Sequence, residues 1–335
     1  MAVTIKDVAK LARVSTTTVS HVINGTRFVS DELRQRVYQA MEALNYQPNM
    51  LARGLRQGNT RTIGLIVPDN SNPFFAELLR VIENVGYQEG YSVILCNSDG
   101  DVDKEATYIH VLYTKQVDGI IFIAVNNEPE CLSNLLRKDI PVVLVDRDLP
   151  LEDTDVVLVN NEKGGFEATK YLISLGHRRI ACITGPSGIT PSADRVRGYY
   201  RALREAEIQP RQDYVVHGDF RFRSGELAVH QLLALSEPPT AIFACNDLMA
   251  IGAMRALRHH GMTIPEDISV IGFDDIQLAS AVTPSLTTIA QPISLIGTIA
   301  AQQLIARMRG EAISTPKRVI LDTTLILRES CTSIR

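Results

Sequence analysis

Thr62-Ile-Gly-Leu-Ile-Val-Pro-Asp-Asn-Ser-Asn-Pro-Phe-Phe75 decides the fold class. Its apolar run, Thr62 to Pro68, is short and rich in β-branched residues, which suits a buried strand rather than a helix. Pro73 then opens a helical stretch that reaches Glu89. The same strand–helix alternation continues outward from this unit. Ser92–Asn97, Gly119–Ala124 and Pro141–Asp146 read as further buried parallel strands, with a helix over Asp103–Lys115 between two of them. The pattern restarts at Arg179–Gly185 and runs on through Ala241–Asn246 and Ile268–Asp274, with a last strand expected over Val319–Leu327. These elements predict an α/β body of two doubly wound parallel-sheet lobes over residues 61–335. The first lobe covers about 61–160 and 292–318, the second about 162–290 and 319–335. In such sheets ligands bind beyond the strand C-termini, here in a cleft between lobes.

Polar and aromatic residues gather at those strand ends. Asn72, Phe74 and Phe75 follow the first strand, Asp146 and Arg147 end the fourth, and Arg195 lies beyond Gly185. Phe220, Asn246, Asp274 and Gln291 follow later strands. Each has a plain alternative, since Asp and Asn at a strand end commonly cap the next helix and phenylalanines commonly fill cores. As a set they fit a sugar. Planar bidentate groups match vicinal hydroxyls, and aromatic faces cover the C–H patches of a sugar ring. Asp146 and Asp274 would repel a phosphate, so an unphosphorylated ring is expected, with Arg147 and Arg195 offsetting the two carboxylates. Stacked phenylalanines also suit a flat purine base, which stays open as the rival ligand.

Composition agrees with a folded chain of two or three domains: 335 residues, 45% hydrophobic and 21% charged. No apolar run reaches the roughly 18 to 20 residues of a spanning helix, and no signal peptide is read in the first 30 residues, so a cytoplasmic location is expected. Cys96, Cys131, Cys182, Cys245 and Cys331 are odd in number and never in a C-x-x-C, which predicts reduced, mostly buried thiols without a zinc site. No nucleotide-binding, hydrolase or zinc-protease motif is present, and the seven histidines are dispersed, with His259 and His260 expected to be solvated on a helix end. A binding protein without cofactor or metal is expected, not an enzyme. Net charge is −4 overall, yet residues 1–60 hold eight Lys/Arg against four acids, a balance of +4, which leaves −8 for the rest. A basic head on an acidic body points to a polyanion partner for the head.

Residues 4–46 read as three short helices. Thr4 caps the first, with Asp7 three residues on. Ala12–Ser15 breaks the chain, Ser15 or Thr16 starts the second, Asn24-Gly25 ends it, and Ser30-Asp31-Glu32 opens the third. Two short helices joined by a four-residue turn make a helix-turn-helix. Thr16, Thr17, Thr18, Ser20 and His21 then offer hydroxyl and imidazole groups to base edges in a major groove, and Arg27 meets phosphate. A plain three-helix bundle has the same spacing.

The run Thr4-Ile-Lys-Asp-Val-Ala-Lys-Leu-Ala-Arg-Val-Ser-Thr-Thr-Thr-Val-Ser-His-Val-Ile-Asn24 resembles the headpiece signature of the lactose-repressor family of bacterial transcription regulators. The resemblance implies a DNA-binding headpiece over 1–47, with Thr4, Ser15, Thr16, Thr17, Ser20, His21, Asn24 and Arg27 in its interface. It also implies a hinge helix and linker over 48–60. There Leu51-Ala-Arg-Gly-Leu-Arg56 is similar to the family's hinge, in which a leucine enters the minor groove. That makes Leu55 the expected wedge and Arg56 its phosphate or minor-groove neighbour. The element is too short to be helical alone, and Gly54 costs it about 1 kcal/mol against alanine. The likeness extends over the whole chain: the body is similar to periplasmic sugar-binding proteins, and Asn72-Pro-Phe-Phe75, Asp146-Arg147, Ser192-Ala-Asp-Arg195, Asp219-Phe220, Asn246-Asp247, Gly272-Phe-Asp274 and Ala290-Gln291 are similar to ribose contacts in that group. Arg147 departs from the ribose regulators of the purine-repressor branch, several of which have an aromatic residue there. The implied protein is a homodimeric repressor on a pseudo-palindromic operator, with a pentose, ribose foremost, as inducer. A purine base or another sugar is the alternative. The chain ends at Arg335 without a heptad helix, which favours a dimer over a tetramer.

Overall fold

A computed structural model describes residues 3–46, 59–125, 140–149, 154–186, 188–311 and 317–334. The chain forms two compact units, Met1–Thr60 and Arg61–Arg335.

The first unit contains α1 (Ile5–Ala12), α2 (Thr16–Asn24) and α3 (Asp31–Ala43). The Asp7 carboxylate accepts the Thr4 backbone N–H at 2.9 Å and the Thr4 hydroxyl at 2.7 Å, fixing the start of α1. Ser15 caps α2 by accepting the Thr18 N–H at 3.0 Å. Gly25 ends α2 at φ +63°, a left-handed turn that only glycine adopts without strain. Val8, Val19, Val22 and Val37 bury the inner faces into one small core. So small a core stabilises weakly, which makes the caps matter more here than in the body.

The body begins with β1 (Thr62–Val67), α4 (Pro73–Gln88), β2 (Ser92–Asn97), α5 (Val102–Thr114), β3 (Gly119–Phe122), β4 (Val142–Val145) and β5 (Asp155–Val159). It continues with α6 (Asn161–Ser174), β6 (Ile180–Thr184), α7 (Thr190–Glu205), β7 (Val215–His217), α8 (Phe222–Leu233), β8 (Ala241–Ala244), α9 (Asp247–His259) and β9 (Ser269–Asp274). Last come α10 (Gln277–Ala281), β10 (Thr287–Ala290), α11 (Ile293–Met308), β11 (Arg318–Leu321) and β12 (Thr324–Ile326). The described strands form two sheets, in the orders β11-β5-β4-β3-β1-β2 and β12-β10-β9-β8-β6-β7. All pairings are parallel except that of β12 with β10. Apolar clusters cover both faces of the first sheet, and one large cluster encloses the second.

Two expectations are corrected. Val319–Leu327 is not one strand: β11 pairs with β5 in the first sheet and β12 with β10 in the second, so residues 319–321 belong to the first lobe. Asp322 and Thr323 carry the chain across, and Asp322 is held by the Lys163 ammonium at 2.9 Å. The strand Ser92–Asn97 is not buried, because β2 is a sheet edge and only Cys96 is well covered. Cys96, Cys182 and Cys245 are buried free thiols and Cys331 is half-buried, while Cys131 lies outside the described residues. His259 and His260 are exposed at the end of α9, as expected, and the His260 Nε2 lies 2.9 Å from the His230 Nδ1 of α8 on that surface. No described helix is long and apolar enough to cross a membrane.

Candidate functional site

In the body, the β-strand C-termini of both lobes converge on a cavity of about 330 Å³, including its open mouth. All ten residues predicted from the strand ends line it, and Ile189 and Pro191 complete the wall. Sequence reasoning missed these last two. Ile189 caps α7 and Pro191 lies in its first turn, and as apolar residues they carry none of the polar or aromatic signal that marks the other ten.

Helix packing places the central arginine. Gly165 of α6 and Gly198 of α7 lie against opposing backbone: a Cβ on either would stand 2.2 Å from a carbonyl oxygen, that of Arg195 or of Glu162. The two helices can therefore approach closely enough to hold Arg195 inside, 3% exposed. Its Nε donates to Asn161 Oδ1 at 2.8 Å and one terminal nitrogen to the Cys245 carbonyl at 2.5 Å. The same nitrogen is 3.4 Å from Asp274 Oδ1, and the guanidinium lies 3.7 Å from the centre of the Phe273 ring. Asn161, another residue the sequence reading missed, thus orients the arginine from the crossing between lobes.

The carboxylates differ in support. Asp274 accepts the Gln291 amide at 2.7 Å, yet burial pushes its pKa up to about 7 against the opposing pull of Arg195 and Gln291. Asp146 is also pushed up by burial, and its nearest cation is the Arg147 Nε at 3.9 Å. Behind Asp274, the fully buried Asp247 accepts from the Thr288 hydroxyl at 2.5 Å and the Ile276 N–H at 2.9 Å. Burial, reinforced by the Asp274 charge, raises its pKa as well. Asp146, Phe220 and Asp274 all take positive φ, 68°, 66° and 118°, strain of a kind that gathers at binding sites.

The capping reading and the site reading both hold for the asparagines. Asn72 Oδ1 accepts the Phe74 N–H at 3.0 Å, and Asn246 Oδ1 accepts the Met249 N–H at 3.0 Å while its Nδ2 donates to the Phe220 carbonyl. Arg147 donates one terminal nitrogen to the Ala124 carbonyl. Two polar atoms of the lining are buried without a hydrogen-bond partner among the described residues: Arg147 Nε, a donor, and Gln291 Oε1, an acceptor. A larger groove shares Asn72, Phe75, Arg147, Ile189 and Phe220 with the cavity, and across it Arg221 meets Asp69 at 3.4 Å. The site therefore offers both donors and acceptors, carries compensated charge, and is walled by aromatic rings. Among the described residues no group of three His, Cys, Asp or Glu side chains is arranged to hold a metal ion.

In the first unit, Thr16, Thr17 and Arg27 are exposed and His21 half-exposed. Thr4 and Ser15 are spent on capping. Asn24 donates to the Ser20 carbonyl at 2.7 Å and to its hydroxyl at 3.1 Å, so these two residues are occupied within α2. Leu55 and Arg56 lie outside the described residues.

Residues 4–49 match the bacterial regulatory proteins of the lacI family, and residues 169–331 match the periplasmic binding protein-like domain. A transcriptional repressor of Aliivibrio salmonicida named PurR is 43% identical over 307 residues, covering 91% of this chain and 92% of its own. This chain belongs to the LacI family. It is a DNA-binding transcriptional repressor rather than an enzyme. The lac repressor dimer bound to operator and the anti-inducer ONPF superposes with a TM-score of 0.89 at 30% identity, over 99% of this chain and all of its own. A LacI family regulator of Enterococcus faecium with bound ribose does so at 0.75 and 31% identity, over 82% of this chain and all of its own.

Proposed function

We propose that this LacI family repressor is controlled by a small neutral ring compound in the interlobe cavity, and that the lining is built for a pentose, with ribose as inducer. The observation that carries this reading is the pair of orphaned lining atoms, Arg147 Nε and Gln291 Oε1, beside two buried carboxylates. A hydroxyl group both donates and accepts, so adjacent hydroxyls satisfy both kinds of partner. The carboxylates disfavour a phosphate.

A second reading has its own support. Relatives 40–44% identical to this chain are named PurR, and they weigh for a purine base over ribose more than the ribose-bound neighbour at 31% weighs against it. Phe74 and Phe75, packed edge to face with ring centres 5.1 Å apart, give the cavity an aromatic wall that a planar base could also meet. Calorimetry on the full chain separates the two. The pentose reading expects saturable heat with ribose and none with hypoxanthine or guanine. Tight binding of a purine with no heat from ribose overturns it in favour of the second reading.

On DNA, the protein acts as a dimer on a pseudo-palindromic operator, each headpiece covering a half-site. The exposed face of α2 reads base edges, Arg27 meets phosphate, and Leu55 with Arg56 engages the minor groove at the centre of the site.

A further inference from the structure

We infer that Thr26, which lies outside the reading helix, sets which base edge His21 recognises. The inference rests on the proposed reading of α2 in the major groove. Gly25 turns the chain back at the end of α2, with its N–H donating to the His21 carbonyl at 2.8 Å. That reversal brings the Thr26 hydroxyl to 2.8 Å from His21 Nδ1. Thr17 and His21 are four residues apart and share the face opposite the buried Val19 and Val22. With Nδ1 engaged, Nε2 is the ring nitrogen that has no partner among the described residues, and it is the atom left to meet DNA.

The inferred role takes the Thr26 hydroxyl as the donor to Nδ1, one of the two tautomers that the 2.8 Å contact accommodates, which leaves the ring proton on Nε2. The imidazole then presents a donor, and its complement in the major groove is a purine acceptor, foremost the O6 and N7 edge of guanine. Thr26 also fixes the ring's rotation, so Nε2 is aimed before DNA arrives and less freedom is lost on binding. Thr26 is a positioning residue, since it acts through His21.

The test is a binding selection on a randomised pseudo-palindromic library with the full-length protein and its His21→Ala, Thr26→Val and Thr26→Ser variants. Wild type is expected to select guanine at one position of each half-site, and His21→Ala to erase that preference alone. Thr26→Val, which keeps the shape but loses the hydroxyl, is expected to cut the same preference roughly tenfold while other positions hold, on the scale of one base contact. Thr26→Ser is expected to restore it. If His21→Ala changes no base preference, the reading of His21 at a base edge fails. If His21→Ala erases a preference that Thr26→Val leaves intact, or Thr26→Val weakens every position equally, the positioning role of Thr26 is overturned while that of His21 stands.

Discussion

The headpiece and the body solve opposite electrostatic problems. The headpiece carries a net positive charge in its sequence, yet the side chains it exposes on α2 are uncharged threonines and a histidine. The body is net acidic, yet its cavity encloses two arginines and two aspartates, each less than a tenth exposed. On the exposed surface charge supplies affinity without selectivity, because the DNA backbone is the same in every sequence and salt screens it. Selectivity there falls to short hydroxyls and an imidazole, whose worth depends on orientation. In the buried cavity each charge must be compensated on the spot, so charge itself becomes directional and selects a ligand. The headpiece thus depends on small local capping bonds, and the body on close packing that forces charged groups together.

The largest expected effect is on the packing of α6 against α7. Gly198→Ala places a methyl group 2.2 Å from the Glu162 carbonyl, against backbone that has no free end to move. It is expected to destabilise the body by about 3 kcal/mol or more, at the upper end of overpacking costs. Calorimetric melting should show a large fall in the body's transition, and an unchanged transition would contradict the close approach of α6 and α7.

Arg195→Met keeps much of the side-chain volume and removes the charge. Effector affinity should fall roughly a hundredfold or more, since a buried partner is lost. Operator binding without effector should stay within about threefold, because no headpiece contact is touched. Parallel operator titrations and calorimetry check both halves.

The third prediction uses pH. Folded Asp274 keeps its proton up to about 7, whereas the unfolded carboxyl releases it near its ordinary 3.8. Between those values the folded state binds the extra proton, so its stability falls as pH rises through this window. Asp274→Asn should flatten that decline in melting temperature without abolishing it, since Asp146 and Asp247 are shifted in the same direction. An equal slope in both proteins would place the proton elsewhere. The smallest expected effect is in the headpiece: Ser15→Ala removes the cap of α2 and should cost about 1 kcal/mol. The loss should appear as faster amide exchange in α2 while the body's protection is unchanged.

How far the sequence discloses this molecule follows the same division. Strand-end polar residues were legible because parallel α/β topology sends the C-termini of the central strands toward one cleft, so ten scattered positions became one cavity lining. Asn161 was not, because a residue at a lobe crossing carries no strand-end signal, and its role depends on Arg195 arriving through the Gly165–Gly198 contact. The division of Val319–Leu327 between two sheets was hidden for a related reason: an apolar run shows that strands form but not which partner each takes. In the headpiece, caps and turn were legible residue by residue because they are local. The Thr26 contact to His21 was not, since it depends on the direction Gly25 gives the returning chain.

The central claim is that occupancy of the cavity governs the headpiece's hold on DNA. Fluorescence anisotropy of a selected operator, titrated with wild type and Arg195→Met at saturating ribose and, separately, hypoxanthine, tests it most directly. Ribose is expected to weaken operator binding by wild type and to leave Arg195→Met unmoved. Operator affinity that no cavity ligand alters, or that shifts equally in both proteins, would contradict it.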